Sequence, residues 1–287
     1  MTGRQAAPWR DRADPVAGPS AQDVGGAAGE RASPPARWSR LEDAGLNASA
    51  PPQQRWLDGW LLRYCPAKAQ RARCVNALAE GVLPLDERLG RCRALYAAHS
   101  LPFVIRITPF TQPASLDARL AARGFAHHGD SLVMTLPRIA TLPAPSLPAR
   151  CRLQRVTTEA YAHIVGEFRG TGLPGRLAHA QRLAASPVPY TALLLRDDAG
   201  AVLAGAQAAQ EGELVGLYDV FTREAYRNRG LAGLLCRQLL ADAHATGAET
   251  AYLQVEAGNA AARAVYRRLG FVDAYRYHYR SDSEAPT

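Results

Sequence analysis

Apolar and polar residues alternate along this chain in two successive series of predicted strands and helices. The first series has a helix, two strands, a helix, a strand, a helix and a strand, over residues 37–47, 55–65, 72–78, 86–99, 103–108, 115–123 and 131–136. In the segment 86–99, for example, Leu89, Cys92, Leu95 and Tyr96 lie on one face of a helix. Several prolines between residues 136 and 150 then interrupt the pattern, which is typical of a linker.

The second series is longer and partly repeats the first. It predicts a strand (151–156), two helices (158–168 and 176–185), a hairpin (190–196 with 201–209) and a strand (214–221). A turn at 227–233 opens a helix that runs to 246, and a strand (251–256), a helix (259–269) and a strand (275–280) follow. Aligning Gly124-Phe125 with Gly270-Phe271 matches the last three elements of both series and places Leu120 opposite Tyr266. The first series lacks the glycine-containing turn.

Composition narrows the class of protein. Apolar residues make up 47% of the chain, which is ordinary for a globular protein, and no apolar run is long enough to cross a bilayer. The first ten residues contain no apolar segment of a secretory signal, so we expect a cytoplasmic protein without membrane attachment. Residues 1–36 are rich in Gly, Ala, Pro and charges without periodicity, and they are predicted to be disordered.

Charge, cysteines and histidines argue against three further classes of protein: nucleic-acid-binding, disulfide-bonded and metal-binding proteins. The net charge of +8 comes almost entirely from arginine, and no helix combines a basic stripe with interleaved aromatics, so nucleic acid is not an expected partner. A basic surface does suit an anionic cofactor or an acidic substrate. The five cysteines form no CxxC pair and are expected to be reduced thiols. The pair His127-His128 lacks an HExxH context, so no metal site is predicted.

The turn at residues 227–233 has the composition of an anion-binding loop. Gly230, Ala232 and Gly233 are small, so the backbone there can approach phosphate oxygens closely, and Arg227 and Arg229 add positive charge. The following helix would direct backbone N–H groups and the positive end of its dipole toward a diphosphate. The turn matches neither a nucleotide P-loop nor a dinucleotide-binding motif. Taken alone, so short a pattern favours a simpler interpretation, a strand–helix turn whose glycines only relieve crowding.

Further motifs in a fixed order change that interpretation. Arg227-x-x-Gly230-x-Ala232 matches the acyl-CoA motif Q/R-x-x-G-x-G/A, and Asn259, Tyr266 and Gly270-Phe271 follow it. From residue 227 to 271 the chain therefore resembles the GCN5-related N-acetyltransferase (GNAT) superfamily, and weaker similarity extends over residues 151–280. The first series resembles the degenerate first copy of tandem members of the superfamily.

The resemblance implies a role for each matching residue. The turn would hold the pyrophosphate of acetyl-CoA, and the strand ending at residue 221 would diverge from its neighbour and hydrogen-bond the pantetheine arm through its backbone. Tyr266 would protonate the leaving thiolate, and Asn259 would help hold the cofactor arm. The implied cofactor-binding residues are Val220, Phe221, Arg227, Asn228, Arg229, Gly230, Ala232, Gly233 and Asn259.

Spacing along the helix at 259–269 agrees with a chemical role for Tyr266. Residues seven apart return to nearly the same azimuth, so Asn259 and Tyr266 share a stripe. A different, apolar stripe is predicted to face the core; it comprises Ala261, Ala264, Val265 and Leu269. The alternatives are an N-cap for Asn259 and half-buried packing for Tyr266.

The general base is harder to assign. An amine attacks a thioester only in its neutral form, and a typical amine with a pKa of about 10 needs a proton acceptor or a water path. Asp219 and Glu256 lie on the two strands that would flank the acyl group, and Asp219 is the first candidate. A structural or substrate-orienting carboxylate is the alternative, and it is the favoured one.

The sequence thus predicts an α/β protein of two GNAT-like units, each a mixed, mostly antiparallel sheet flanked by helices. Residues 1–36 form the tail, 37–136 the degenerate unit, 137–150 the Pro-rich linker and 151–287 the catalytic N-acetyltransferase domain. The predicted reaction moves an acetyl group from acetyl-CoA, without a metal, to a primary amine of a small molecule or peptide by direct attack. The alternatives are a non-catalytic acyl-CoA sensor and an interaction module in the first half, which would pair through its sheet edge or form a homodimer.

Overall fold

The computed structural model of the chain describes residues 36–66, 69–139, 142–143 and 145–282. All but the last residue of the predicted tail therefore lies outside the described residues. Within them, no helix combines the length and the apolarity that crossing a bilayer requires. The cysteines are free thiols, as expected from their spacing.

The described residues of the first half form three helices and five strands. They are α1 (Ala36–Ala48), β1 (Gln54–Leu57), β2 (Trp60–Arg63), β3 (Val75–Ala77), α2 (Leu85–Ala98), β4 (Val104–Ile107), α3 (Leu116–Ala121) and β5 (Ala126–Leu136), with a short 3-10 helix at Gln70–Ala72. The prediction of one strand over residues 55–65 was wrong, because β1 and β2 form a hairpin there. Asp58 and Gly59 supply its two-residue turn with φ of 46° and 83°, the conformation that an Asp-Gly pair favours.

The second half follows the predicted order of elements. It contains β6 (Cys151–Val156), α4 (Thr158–Phe168), α5 (Leu173–Ala184), β7 (Tyr190–Asp197), β8 (Val202–Glu211), β9 (Leu214–Thr222), α6 (Leu231–Ala245), β10 (Thr250–Glu256), α7 (Ala260–Arg268) and β11 (Val272–Ser281). A 3-10 turn at Glu224–Tyr226 precedes α6. Two helices make crossovers between parallel strands, α2 from β3 to β4 and α6 from β9 to β10. The other strand pairs are antiparallel.

All these strands form one 11-stranded sheet in the order β1-β2-β3-β4-β11-β5-β10-β9-β8-β7-β6. The last strands of the two halves are exchanged, since β5 lies between β10 and β11 while β11 lies between β4 and β5. The α/β class, with a mixed and mostly antiparallel sheet flanked by helices, is confirmed. The exchange joins the two predicted sets of strands into a single sheet.

The internal repeat found in the sequence is also present in the structure. Helices α3 and α7 both end at a glycine with positive φ, 82° at Gly124 and 88° at Gly270. The phenylalanine after each glycine then donates its N–H to a carbonyl five residues earlier, Phe125 to Leu120 (3.2 Å) and Phe271 to Tyr266 (3.1 Å). A left-handed residue of this kind ends a helix and turns the chain back to the sheet.

The core occupies both faces of the sheet. Along β10, Ala251 and Leu253 pack with the apolar residues of α6 and α7, while Tyr252 between them packs with Leu41 of α1. Because successive side chains of a strand point to opposite faces, α6 and α7 cover one face and α1 the other. A separate cluster beneath α2 and α3 includes Leu89 and Leu120.

Candidate functional site

A cleft opens where two parallel strands separate. Strands β9 and β10 pair from Leu214 and Thr250 up to Leu217 and Leu253, and beyond that point they no longer pair. On its other side, β9 carries a bulge, since Tyr218 pairs with Gln207 and Phe221 with Gly205. A bulge bends its strand and interrupts the ladder, so it explains the divergence. The predicted separation of this strand from its neighbour is confirmed.

The bulge consists of Asp219 and Val220, two residues opposite one on β8. Asp219 has a φ of 49°, a left-handed conformation that is uncommon for residues other than glycine. Val220 and Phe221 are half-buried, and the ring of Phe221 lies 4.9 Å from that of Phe168 at the end of α4. Beside the bulge, the strand edge that faces the cleft is free to hydrogen-bond a ligand.

The predicted anion-binding turn lies between β9 and α6. Asn228 and Gly230 have positive φ values of 61° and 77°, and the first bond of α6 runs from Leu234 N to Gly230 O at 3.0 Å. Among the described residues, the backbone N–H groups of residues 228–233 have no acceptor in the protein. A Cβ built on Gly230 would meet nothing within 4 Å, so the turn is open. Consecutive free N–H groups at a helix N-terminus are a ready site for an anion.

The two arginines of the turn differ in their contacts. Arg229 lies over the ring of Tyr226 (5.1 Å) and donates to the carbonyl of Ala225 at 3.2 Å, so it braces the turn. Arg227 is exposed and makes only a loose ion pair with Glu224, at 3.8 Å. An exposed pair of this kind contributes little to stability, so Arg227 can exchange it for a ligand.

Four side chains converge on Asp219 at the bulge. Its carboxylate accepts from Arg169 Nη1 at 2.6 Å, lies 3.1 Å from His179 Nε2 and accepts from Gln207 Nε2 at 3.4 Å. The hydroxyl of Tyr161 donates to its backbone carbonyl at 2.8 Å. Burial alone would raise the pKa of Asp219, but the His179 hydrogen bond and the Arg169 charge outweigh it and hold that pKa well below its usual range.

These partners were not found from the sequence. Arg169 lies just after α4 and His179 lies in α5, in a part of the chain for which the sequence predicted helices but no motif. Both residues reach Asp219 through the packing of the α4–α5 pair, which no local pattern in the chain reports. The only hint in the sequence was the residue types themselves, an arginine and a histidine that could pair with a carboxylate.

Tyr266 is buried in the core cluster and lies edge-on to the ring of Phe271, with 6.0 Å between centroids. Burial, and next the neighbouring thiol of Cys236, raise its pKa, while the charge of Arg169 opposes them. The phenol therefore keeps its proton at neutral pH. No hydrogen bond joins its hydroxyl to another described residue.

The predicted core stripe of α7 was wrong at two of its four positions. Ala261 and Ala264 are exposed, whereas Tyr266 and Leu269 are buried and Val265 is half-buried. The helix ends at Leu269 and the chain turns back at Gly270, so the face that carries Tyr266 is the one pressed on Phe271 and the sheet. Asn259 is exposed and caps α7, accepting from Ala262 N at 3.0 Å, as its alternative interpretation expected.

The predicted elements meet around the cleft. The charge of Arg169 acts on both Asp219 and Tyr266, so both candidates lie near this arginine. A Cβ on Gly233 would lie 3.9 Å from Val265, so the turn adjoins α7 next to Tyr266. Glu256, the second carboxylate considered as a base, is exposed at the end of β10. It has no contact with Asp219 among the described residues.

Two cavities lie near these elements. One of about 480 Å³ adjoins the turn and is lined by Tyr226, Arg229 and Leu231 together with Arg150 and Asp197. The larger one, of about 590 Å³, adjoins the C-terminal part of α6 and contains none of the predicted site residues in its lining. The smaller cavity is therefore the one that extends the candidate site.

One group of residues has the composition of a metal site. Donor atoms of His127, Asp130 and His278 lie within 4.8 Å of one another on the surface formed by β5 and β11. His127 Nε2 is 2.9 Å from Asp130, and His278 Nε2 is 3.0 Å from Asp117. The group shares no residue with the cleft between β9 and β10, so the chemistry of the cleft does not depend on it.

The chain is similar to known proteins in its sequence and in its fold. Residues 36–280 match the model of a family described as "Probable histone acetyltransferase Rv0428c C-terminal". A search of the curated proteins found no match.

Solved structures share the fold at low sequence identity. A GCN5-related N-acetyltransferase from Kribbella flavida has a TM-score of 0.62 at 17% identity and covers 86% of this chain and 96% of its own. A tandem GNAT protein from the clavulanic acid biosynthesis pathway has a TM-score of 0.55 at 16% identity, with 70% of each chain covered. A GCN5-related N-acetyltransferase from Sphaerobacter thermophilus has 0.52 at 18% identity, covering 72% of this chain and 73% of its own.

Proposed function

Since the chain belongs to the family described as "Probable histone acetyltransferase Rv0428c C-terminal" and is an acetyltransferase of the GNAT superfamily, we propose that it transfers an acetyl group from acetyl-CoA to a primary amine. The amine belongs to a small molecule or a peptide and attacks the thioester directly. Acetyl-CoA is a co-substrate, and no metal takes part.

The proposed binding mode uses the turn and the open edge of β9. The pyrophosphate lies against the free N–H groups of residues 228–233, where the dipole of α6 and the side chains of Arg227 and Arg229 favour negative charge. Ala232 and Gly233 leave room for the oxygens. The pantetheine arm runs along the backbone of Val220 and Phe221, and Asn259 helps to hold it.

The proposed chemistry uses the two catalytic candidates, Tyr266 and Asp219. The amine nitrogen attacks the carbonyl carbon, a C–N bond forms, the C–S bond breaks, and the sulfur leaves as a thiolate. Tyr266, which burial keeps protonated, donates its proton to that sulfur. Asp219, with a pKa held well below its usual range, stays ionised and suits the orienting role better than that of a proton acceptor.

The observation that carries the proposal is the row of free N–H groups beside the opening of β9 from β10. Isothermal titration with acetyl-CoA tests it, and saturable binding is expected. The variant Ala232→Glu places a carboxylate among the N–H groups and should weaken binding at least about tenfold, or about 1.4 kcal/mol. Ala241→Glu, on the exposed face of the same helix, is the matched control and should leave the affinity unchanged.

A screen of primary amines that follows free CoA release identifies the acceptor. The panel includes lysine peptides, because the family description names a histone acetyltransferase, and small amines. Absence of acetyl-CoA binding by the intact protein, or equal binding by Ala232→Glu, would contradict the proposal.

The assembly and location of the protein complete the proposal. We expect a cytoplasmic enzyme without nucleic acid or membrane partners. The sheet ends at β1 and β6, and β1 carries the exposed Trp56, so a homodimer would pair through this edge. Light scattering after size-exclusion chromatography distinguishes a monomer from a dimer.

A further inference from the structure

His179 is the one imidazole in contact with the candidate site among the described residues. It lies on α5, which packs against α4, and its side chain is 20% exposed. Its Nε2 is 3.1 Å from Oδ2 of Asp219, the residue at the bulge where β9 leaves β10. The side chain of Asp219 therefore connects the imidazole to the bulge of β9, whose backbone would face the acetyl group.

The carboxylate that holds His179 is itself held in place. Arg169 contacts its other oxygen at 2.6 Å, Gln207 donates to the same oxygen as His179 at 3.4 Å, and Tyr161 fixes its backbone. Gln207 is fully buried, so it cannot swing away. A fixed carboxylate that accepts from one ring nitrogen selects the tautomer and leaves the lone pair of the other nitrogen free.

We propose that His179 is the general base of the acetyl transfer, accepting the proton of the acceptor amine at Nδ1, directly or through one water, while Asp219 orients its ring. This inference rests on the proposed function. An ionised carboxylate already paired with an arginine is a poor proton acceptor, whereas the neutral imidazole beside it has a nitrogen lone pair free to accept one.

The step balances in atoms and protons. For a neutral amine, the nitrogen loses one proton to His179 as the C–N bond forms, and the thiolate gains one from Tyr266 as the C–S bond breaks. The resulting imidazolium and phenolate return to their starting forms by proton exchange through solvent. No oxidant, reductant or metal is needed.

The groups around His179 determine how its role would be seen in a pH profile. Asp219 contacts it, Arg169 pairs with the other oxygen of that carboxylate, and Tyr161 from α4 and Tyr190 from β7 lie near Asp219. Burial raises the pKa values of both tyrosines, and that of Asp219 lies far below neutrality, so none of the three changes charge between about pH 5 and pH 8. Protonation of the acceptor amine is the same in every variant, so only an acid-side loss of rate that His179→Gln removes is assigned to the imidazole.

Three variants test the assignment with an acceptor found by the amine screen. His179→Gln should lower kcat about 100-fold, remove the acid limb of the pH profile and leave acetyl-CoA affinity unchanged. His179→Ala should regain activity with added imidazole. His163→Gln, a histidine on the neighbouring helix α4 without a role in the site, is the matched control and should behave as the unaltered protein.

The outcomes separate this inference from the function it rests on. If the unaltered protein releases no CoA with any amine, the proposed function fails. If it is active but His179→Gln keeps both its rate and its acid limb, only the role of His179 is overturned. Loss of the acid limb in Asp219→Asn, with the limb retained in His179→Gln, would assign the base to Asp219 instead.

Discussion

Tyr266 and Leu120 occupy equivalent positions in the two halves of the molecule. Each is buried, and each accepts through its backbone carbonyl from a phenylalanine five residues later, Phe271 or Phe125. Leucine satisfies every packing demand of this position in the first half. The hydroxyl of Tyr266 is therefore not required by the fold, which leaves it available for proton transfer.

Replacing Tyr266 with phenylalanine should separate chemistry from packing. The variant removes a hydroxyl without a hydrogen-bond partner among the described residues, so thermal stability and acetyl-CoA affinity should be unchanged. Loss of a positioned acid should lower kcat about 100-fold or more. Steady-state kinetics and isothermal titration measure the two effects.

The matched control is another buried tyrosine. Tyr96→Phe removes a hydroxyl that donates to Arg63 O at 2.7 Å, so it should cost about 1 kcal/mol of stability. Turnover per folded molecule should stay the same in that variant. Full turnover by the Tyr266→Phe variant would exclude the phenol as the acid.

At this scale, motif residues could be predicted and their partners could not. Gly230, Tyr266 and Asp219 were found because their neighbours along the chain carry the signal. Arg169 and His179 reach Asp219 only after α4 and α5 have packed, so the chain holds no local record of them. Helical spacing alone also misplaced the core face of α7, because burial there depends on the return of the chain at Gly270.

At the scale of elements, α1 connects the two halves of the sheet. Its buried Glu42 pairs with Arg106 of β4 and accepts from Tyr275 of β11 at 2.6 Å. At its C-terminus, Arg63 of β2 donates to Leu46 O at 2.8 Å, and Tyr190 of β7 donates to Ala48 O at 2.7 Å. The sequence predicted this helix to within a residue at each end, but it did not indicate that the helix covers the sheet.

Glu42→Gln tests the connection made by α1. Arg106 is almost fully buried and would lose its only carboxylate partner among the described residues, so we expect a loss of about 3–5 kcal/mol in the free energy of unfolding. Urea denaturation measures it.

An exposed ion pair of the same helix provides the control for that variant. Arg40 contacts Glu213 at the surface, and Arg40→Gln should change stability by less than about 1 kcal/mol. Equal small losses in both variants would show that Glu42 does not hold α1 to the sheet.

At the scale of the whole molecule, the exchange of β5 and β11 decides how the halves depend on each other. Strand β5 pairs only with β10 and β11, so it has no neighbour from its own half. The sequence repeat identified both strand–helix–strand units. The same repeat is equally compatible with an arrangement in which β5 and β11 each pair with strands of their own half. The choice between the two arrangements depends on contacts between distant segments, which the repeat does not encode.

The exchange predicts that neither half folds alone. A fragment of residues 151–287 leaves β10 and β11 without the strand between them, and a fragment of residues 36–150 leaves β5 without any partner. Unpaired strand edges of this kind aggregate, so each fragment should be insoluble when expressed separately. Expressed together, the fragments should form a soluble 1:1 complex that binds acetyl-CoA, because every pair of the sheet can then form.

The control for the fragments is the full-length protein, folded as one chain and then cleaved at an engineered protease site within residues 145–150. It should remain assembled and unfold in one transition, since the cut breaks no strand pair and no helix. Circular dichroism and size-exclusion chromatography follow both preparations. A fragment of residues 151–287 that is soluble, unfolds cooperatively and binds acetyl-CoA by itself would show that β5 is dispensable, and that the second half completes its own sheet.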